Sequence, residues 1–119
     1  MPNQTPASLP PLSTVSLTAT GAIAANRFVT PAGAQAGADA NALGVSRTAA
    51  AIGEVIPVDS NGYCIVEAGA AIAAGATIKS DASGRAITWV TSGARLGIAM
   101  AAASGAGYYI EAQMIPNAA

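Results

Sequence analysis

Glycine recurs at short intervals along this chain, and no other feature limits its regular structure more. The positions that set the spacing are Gly44, Gly53, Gly62, Gly69, Gly75, Gly84, Gly93, Gly97, Gly105 and Gly107. A glycine inside a helix costs about 1 kcal/mol relative to alanine, so long helices are disfavoured. Alanine itself favours helix. However, charged residues are only 9% of the 119 residues, so alanine lacks the Glu, Lys and Arg that usually share a solvated helix face with it.

The bulky side chains fall in short runs rich in β-branched and aromatic residues and bounded by turn signals, a pattern typical of strands. These runs cover residues 15–19, 27–30, 42–48, 54–58, 62–67, 76–80, 85–90, 95–101 and 108–115. Asn61-Gly62 predicts a type I′ hairpin, because both residues tolerate positive φ. We therefore predict an all-β domain of about nine short strands, a small barrel or sandwich. Residues 31–41 are either a flexible loop or a short alanine-rich helix.

Proline is concentrated in the first 14 residues, which hold four of the seven prolines. Proline fixes an extended backbone and removes an amide donor. Residues 1–14 are therefore predicted to form an extended arm, leading into a domain of residues 15–119. A disordered tail is the alternative, but spaced apolar residues favour an arm that docks on a partner with little loss of entropy. The predicted docking residues are Leu9, Pro10, Pro11, Leu12 and Val15.

The two halves of the sequence resemble each other weakly. GAIAANRFV at 21–29 is similar to AAIAAGATI at 70–78, and LGVSRTAA at 43–50 is similar to LGIAMAAA at 96–103. A duplication would fit a barrel with internal pseudo-symmetry and not a solenoid, which needs three or more shorter repeats. Alanine-rich chains also produce such matches without duplication, so both explanations stay open.

Residues that commonly support catalysis or metal binding are sparse. The chain has no histidine, the commonest general base and metal ligand. Cys64 stands alone, and without a base a buried structural thiol is the favoured interpretation. Glu54, Asp59 and Glu67 lie near the predicted hairpin and are interpreted as solvated charges. Lys79 leaves open a carrier domain with a modified hairpin lysine, although its neighbours do not match that motif. We predict no catalysis, cofactor, metal or small-molecule substrate.

The charge balance argues against nucleic acid and membrane partners. Five basic and six acidic residues give a net charge of -1, whereas nucleic-acid binding needs a concentrated positive surface. The apolar segment 96–110 is too short and glycine-rich for a transmembrane helix. No secretory signal is visible, so synthesis in a cytoplasm is expected. So few charges favour a surface partly covered in an assembly, with a monomer kept soluble by polar uncharged residues as the alternative.

Large aromatic residues are candidates for contacts between subunits, because interfaces are enriched in Trp and Tyr. The candidates are Trp89, Tyr108 and Tyr109, with ordinary core packing as the alternative. Adjacent residues in a strand face opposite sides. We therefore expect one of the two tyrosines to lie near a surface.

Several glycine-centred steps follow one another late in the chain. They are Ala74-Gly75-Ala76-Thr77-Ile78, Ser83-Gly84, Leu96-Gly97-Ile98-Ala99 and Gly107-Tyr108-Tyr109-Ile110. In this order they resemble small head-decoration (capsid cement) proteins of tailed bacteriophages, and the resemblance covers roughly residues 15–115.

The resemblance implies a small β-barrel or β-tulip-like domain that clusters, commonly as a homotrimer, on the outside of an icosahedral head. It implies a structural role in stabilising the capsid, with no catalysis and no cofactor. The major capsid protein and further copies of this chain are then the expected partners, and the capsid exterior is the expected location. Another virion module, such as a head-fibre base or a tail accessory protein, is the alternative function.

Overall fold

The computed structural model describes the backbone of residues 11–114 and the side chains of residues 14–114. Within them the chain forms eight strands and no helix, which confirms the predicted all-β class. The strands are β1 (Pro11–Thr18), β2 (Phe28–Val29), β3 (Gly44–Ser46), β4 (Val55–Glu67), β5 (Thr77–Ser80), β6 (Ala86–Thr88), β7 (Gly97–Ala99) and β8 (Tyr109–Met114).

All eight strands belong to one antiparallel sheet. Its order is β2-β3-β4-β8-β7-β5-β6, and β1 pairs with β4 off this path. The sheet curls into a nearly closed barrel, as predicted. Curling leaves one face of each strand toward the interior, so buried and exposed residues alternate along β8.

The predicted hairpin at Asn61-Gly62 is wrong, because β4 runs through it as one strand of 13 residues. A type I′ turn needs positive φ at both central residues. Gly62 has a φ of 82°, but Asn61 is not among the positive-φ residues. The register against β1 shifts at Ser13, so this point is a β-bulge within the strand. Two predicted strands therefore merge, which gives eight strands and not nine.

Residues 31–41, left open between loop and helix, form a loop with defined contacts. Gly33 and Asp39 have positive φ angles of 88° and 60°, which a helix does not allow. The amide of Ala36 donates to the carbonyl oxygen of Phe28 at 2.9 Å. Ala36 is buried in the core, so this loop contributes to the packing of the barrel.

Residues 11–59 (repeat 1) and residues 60–114 (repeat 2) form the same set of backbone pairings. In each repeat a short strand pairs with a strand that carries the Leu-Gly step, and an isolated bridge joins an isoleucine to an alanine. The corresponding pairs are Val29 with Gly44 and Ile78 with Gly97, and Ile23 with Ala50 and Ile72 with Ala103. The weak sequence similarity therefore marks a repeat in the structure.

The core repeats in the same way. Six buried residues form the smaller cluster: Ala19, Ile23, Val29, Ala50, Ile56 and Val58. Their counterparts in repeat 2 belong to the larger cluster: Ala68, Ile72, Ile78, Ala103, Ile110 and Ala112. The larger cluster also takes in Phe28 and Val45 from repeat 1, so the two repeats share one of the two cores.

The glycine of each Leu-Gly step allows a close approach of two strands. A Cβ at Gly44 would overlap the carbonyl oxygen of Asp59 in β4, and a Cβ at Gly97 would overlap that of Gln113 in β8. Since these oxygens belong to the backbone of a paired strand, they cannot move without disturbing the sheet. The repeated glycine is therefore a packing requirement of the fold.

Candidate interaction surfaces

Three of the five residues predicted to form docking contacts lie within β1, which begins at Pro11, so the last residues of the predicted arm pair with β4. Leu9 and Pro10 lie outside the described residues. Pro11 and Leu12 lie in β1, where Pro11 pairs with Gly62 of β4. Val15 pairs with Val58, and its side chain is 38% exposed although it belongs to a strand of the barrel. The structure thus places an accessible aliphatic side chain on β1.

Trp89 lies just past β6 and is partly exposed. Its indole Nε1 donates to the carbonyl oxygen of Gly93 at 2.8 Å, and the Arg95 guanidinium lies 4.2 Å from the ring centroid. A cation this close to a ring face is attracted by the π electrons. These two contacts hold the indole in place at the surface, available to another protein.

Tyr108 and Tyr109 are both exposed, at 56% and 62%. The expectation that one of the two lies near a surface is confirmed, and both do, because Tyr108 precedes β8 and the strand alternation begins only at Tyr109. Gly107, with a φ of 90°, turns the chain just before them. Val55 is the counterpart of Tyr109 in repeat 1 and is also exposed. Both repeats therefore present an apolar side chain at this position.

A surface pocket of about 250 Å³ lies beside the bulge of β4. It is lined by Asn26, Ser46, Arg47, Asp59, Tyr63, Cys64, Ile65 and Glu111. Arg47 Nη2 contacts Asp59 Oδ1 at 2.6 Å, and Thr14 Oγ1 donates to the same oxygen at 3.0 Å. Arg47 carries no sequence signal of this role, since nothing in the neighbouring residues indicates a partner on another strand.

Cys64 is one of the residues that line this pocket, and it is buried. Burial, and secondly the negative charge of Asp59, raises the pKa of its thiol to about 12. A thiol with this pKa is protonated at neutral pH and is a poor nucleophile. The structure therefore supports the interpretation of Cys64 as a structural residue.

The three carboxylates near the predicted hairpin are not brought together as a catalytic pair. Asp59 is paired with Arg47. Glu67 contacts Arg27 at 3.1 Å, and Glu54 accepts the amide of Ala51 at 2.7 Å. Each carboxylate has its own structural partner. The interpretation as solvated charges holds for Glu54, which is exposed, but it is wrong for Asp59, which is buried, and for Glu67, whose side chain is only 14% exposed.

Lys79 does not lie at the tip of a hairpin. It lies within β5, where it pairs with Ile87 of β6, and its side chain is 13% exposed. Its Nζ contacts Asp39 at 2.7 Å and donates to the carbonyl oxygen of Ser92 at 3.0 Å. The hydrogen bond from Lys79 is the main cause that lowers the pKa of Asp39. A modified carrier lysine needs a free amine on an exposed turn, and this position does not provide one.

Among residues 11–114 no cluster of three or more potential metal-ligating side chains occurs. The same part of the chain contains no helix that could span a membrane.

Comparison with known proteins identifies what this domain is similar to. A family model described as phage cement protein matches residues 11–114. The structure is similar to the crystal structure of the N base of the head fiber protein gp8.5 of bacteriophage phi29. The TM-score is 0.71 at 16% sequence identity, over 87% of this chain and 93% of that chain. A comparison with curated proteins gives no match.

Proposed function

This chain belongs to the phage cement protein family, and we propose on that basis that it decorates the outside of a phage head and reinforces the capsid. Family membership makes it a structural, virion-associated protein that binds the phage capsid. The observation that carries the proposal is the family match itself, because it covers the whole described barrel and not one short motif.

The physical properties of the chain support this role. Packaged DNA places the head under pressure, so a reinforcing protein has to hold neighbouring capsid subunits together. Many copies with modest contacts achieve this through avidity. A chain with only 9% charged residues and with exposed apolar side chains on both repeats suits a protein that is covered by other proteins in its working state.

The proposed partners are the major capsid protein and further copies of this chain, in a homotrimer. Residues 1–15 are proposed to contact the major capsid protein or an adjacent copy, with Leu9, Leu12 and Val15 as the apolar contacts. Tyr108 and Tyr109 remain proposed contact residues because both are exposed. The chain is proposed to be made in the host cytoplasm and to act on the capsid exterior.

A density gradient of phage lysate tests the location directly. The protein is followed by mass spectrometry across fractions that separate DNA-filled heads from free proteins. We expect it to travel with filled heads in numbers comparable to the major capsid protein. If it stays at the top of the gradient, the decoration function is refuted.

The arm is tested with purified heads that lack this protein. Deletion of residues 1–10 leaves β1 complete, so the barrel is expected to fold while binding to heads is lost. Leu9→Asp is expected to weaken binding, whereas Asn3→Asp adds the same charge at a polar position and should not. Normal binding of the deletion variant would refute a role for residues 1–10 in attachment.

A head-fibre base is the second candidate function, and the similarity to the phi29 head fiber base favours it. Particle microscopy separates the two functions. A decoration protein forms a regular lattice of density on the capsid, whereas a fibre base lies beneath a projecting fibre.

A further inference from the structure

The second half of β4 belongs to repeat 2, and residues of repeat 1 cover it. The main-chain oxygen of Asn26 accepts the amide of Glu67 at 3.0 Å, and its side-chain amide donates to the carbonyl oxygen of Ile65 at 3.1 Å. Asn26 therefore forms hydrogen bonds with two backbone groups, one of Ile65 and one of Glu67, on the edge of β4 that faces away from β8. An unsatisfied strand edge invites further pairing, and Asn26 prevents this here.

Side chains of repeat 1 also cover the inner face of this strand segment. Phe28 and Val45 project away from the core of their own repeat and are buried in the larger cluster. That cluster includes Cys64 and Val66 of β4, of which Val66 is fully buried. The packing of one repeat against the next therefore combines two hydrogen bonds at the strand edge with apolar contacts on the strand face.

In repeat 1 the counterpart of this strand segment is β1, and among the described residues β1 has no such cover. Val15 corresponds to Cys64, because Val15 pairs with Val58 as Cys64 pairs with Ala112. Val15 is 38% exposed, whereas Cys64 is 6% exposed. Leu17, the counterpart of Val66, is only partly buried. The inner face of β1 is thus less protected than the same face in repeat 2.

Among the described residues the outer edge of β1 also lacks the cover that Asn26 gives to β4, although the loop at Gly33 lies close to the carbonyl oxygen of Thr18. The backbone of Ala19 forms hydrogen bonds with Gly53 and Glu54 on the β4 side. In an antiparallel ladder the backbone groups of successive residues point to alternate sides. The Thr18 amide and the Ser16 carbonyl oxygen therefore point away from β4. These are the counterparts of the Glu67 and Ile65 groups that Asn26 satisfies. In the described part of the sheet β1 pairs only with β4, so no strand lies beyond it.

Repeat 2 carries a second copy of the covering surface, and among the described residues no strand segment packs beneath it as β4 packs beneath the first copy. The counterparts of Asn26, Phe28, Ala36 and Val45 are Gly75, Thr77, Trp89 and Ile98. The loop geometry agrees, since the Trp89 amide donates to Thr77 as that of Ala36 donates to Phe28. Phe28, Ala36 and Val45 are buried, whereas Thr77, Trp89 and Ile98 are partly exposed.

We propose that this surface of repeat 2, defined by Gly75, Thr77, Trp89 and Ile98, covers β1 of a second copy of the chain. Each chain then has a free covering surface at one end and an uncovered strand at the other. Such a head-to-tail contact uses two different patches and forms a ring if the rotation closes. The proposal deepens the self-association included in the proposed function, and it is tested on the isolated chain so that its outcome is independent of capsid binding.

Cysteine cross-linking tests the geometry. Val15→Cys and Thr77→Cys are combined in one chain and treated with a short bis-maleimide, and each single variant serves as a control. Cys64 is buried with a raised pKa and is not expected to react. The double variant should give covalent dimers and larger cross-linked species. Neither single variant should, because residue 15 of one copy lies next to residue 77 of another copy and not next to a second residue 15. Dimers from the Val15→Cys variant alone, or none from the double variant, would overturn the proposal.

A substitution that strengthens the contact gives an independent test. Gly75 has a φ of 86°, and a Cβ there meets no atom within 4 Å. Asn26 occupies the same backbone conformation, with a φ of 61°. Gly75→Asn therefore restores the side-chain amide that repeat 1 uses, aimed at the Ser16 carbonyl oxygen of the second copy. Sedimentation equilibrium should show self-association tighter by about fivefold, the effect of one added hydrogen bond.

The matched control is Gly107→Asn, where φ is 90° and the space is equally open. It should leave self-association unchanged, and Val15→Asp should weaken it by at least about tenfold. Three results would overturn the proposal: no effect of Gly75→Asn, an equal effect of Gly107→Asn, or a chain that stays monomeric in both. Loss of assembly in Tyr109→Ser but not in Val15→Asp would instead place the interface at the tyrosines.

Discussion

Replacing Gly97 with alanine should remove a large part of the stability of the domain. A Cβ at this position overlaps the carbonyl oxygen of Gln113, so β7 has to move away from β8. The two strands pair at Gly97, Ile98 and Ala99. Forced overpacking costs about 1–3 kcal/mol, and each ladder hydrogen bond weakened by the shift costs about 1 kcal/mol more. The expected total is about 3–5 kcal/mol.

Thermal unfolding followed by circular dichroism measures this cost. Unfolding entropy near the midpoint is about 2.1 cal/mol/K per residue, or about 0.25 kcal/mol/K for the 119 residues of the chain. The expected decrease in Tm is therefore about 12–20 °C. Protein concentration has to be equal in all samples, because self-association makes the apparent stability concentration-dependent.

Gly105→Ala is the matched control for this substitution. A Cβ there meets no atom within 4 Å, and the residue does not have a positive φ. Its unfolding free energy should change by less than about 0.5 kcal/mol. Gly44→Ala should behave like Gly97→Ala, since its Cβ overlaps Asp59 in the same way. If Gly97→Ala is no less stable than Gly105→Ala, the close approach of the two strands is refuted as the reason for this glycine.

Three further predictions follow from individual side chains. The Cys64 thiol, with its pKa raised to about 12 by burial, should resist iodoacetamide at pH 8 and react fully after unfolding, as intact mass would show; rapid labelling of the folded protein would contradict this. Phe28→Ala should lower the unfolding free energy by about 3–5 kcal/mol, whereas Tyr109→Ala at an exposed site should change it by less than about 0.5 kcal/mol. Denaturant titration measures both values, and equal losses would contradict the role of Phe28 in the shared core. Lys79 lowers the pKa of Asp39 in the folded state, so the pair stabilises the protein at pH values above the ordinary carboxyl pKa, and this stabilisation is lost as pH falls through the lowered pKa. The difference in Tm between the wild type and Asp39→Asn should therefore be present at pH 7 and vanish at low pH. A difference that persists in acid would exclude this cause.

The strands themselves were predictable because their signals are local. Short β-branched runs between glycines indicate strands wherever they occur, and the run at residues 76–80 matches β5 closely. The prediction failed at Asn61-Gly62, where the local turn signal was outweighed by the pairing of one continuous strand with β1 and β8. Which strands pair depends on contacts between distant residues, and a single sequence does not reveal these.

The candidate surfaces were predictable to a smaller extent. Trp89 was singled out for its residue type, and the structure gives it a position that matches Ala36 of the other repeat. The pairing of Arg47 with Asp59 had no sequence signal, since its geometry arises from the register of β3 and β4. The similarity between the halves was visible in the sequence, but only the repeated hydrogen bonds separated it from chance in an alanine-rich chain.

The register of β4 also determines where the polypeptide enters and leaves the barrel. Pro11 and Met114 both pair with Gly62, so the two ends of the described chain lie within about two strand spacings, or roughly 10 Å, of each other. Labels attached at Pro11 and at Met114 would therefore lie close to each other. A short linker between the ends, with the backbone reopened at the exposed turn near Ala106, would give a circular permutant in which every strand pairing is retained.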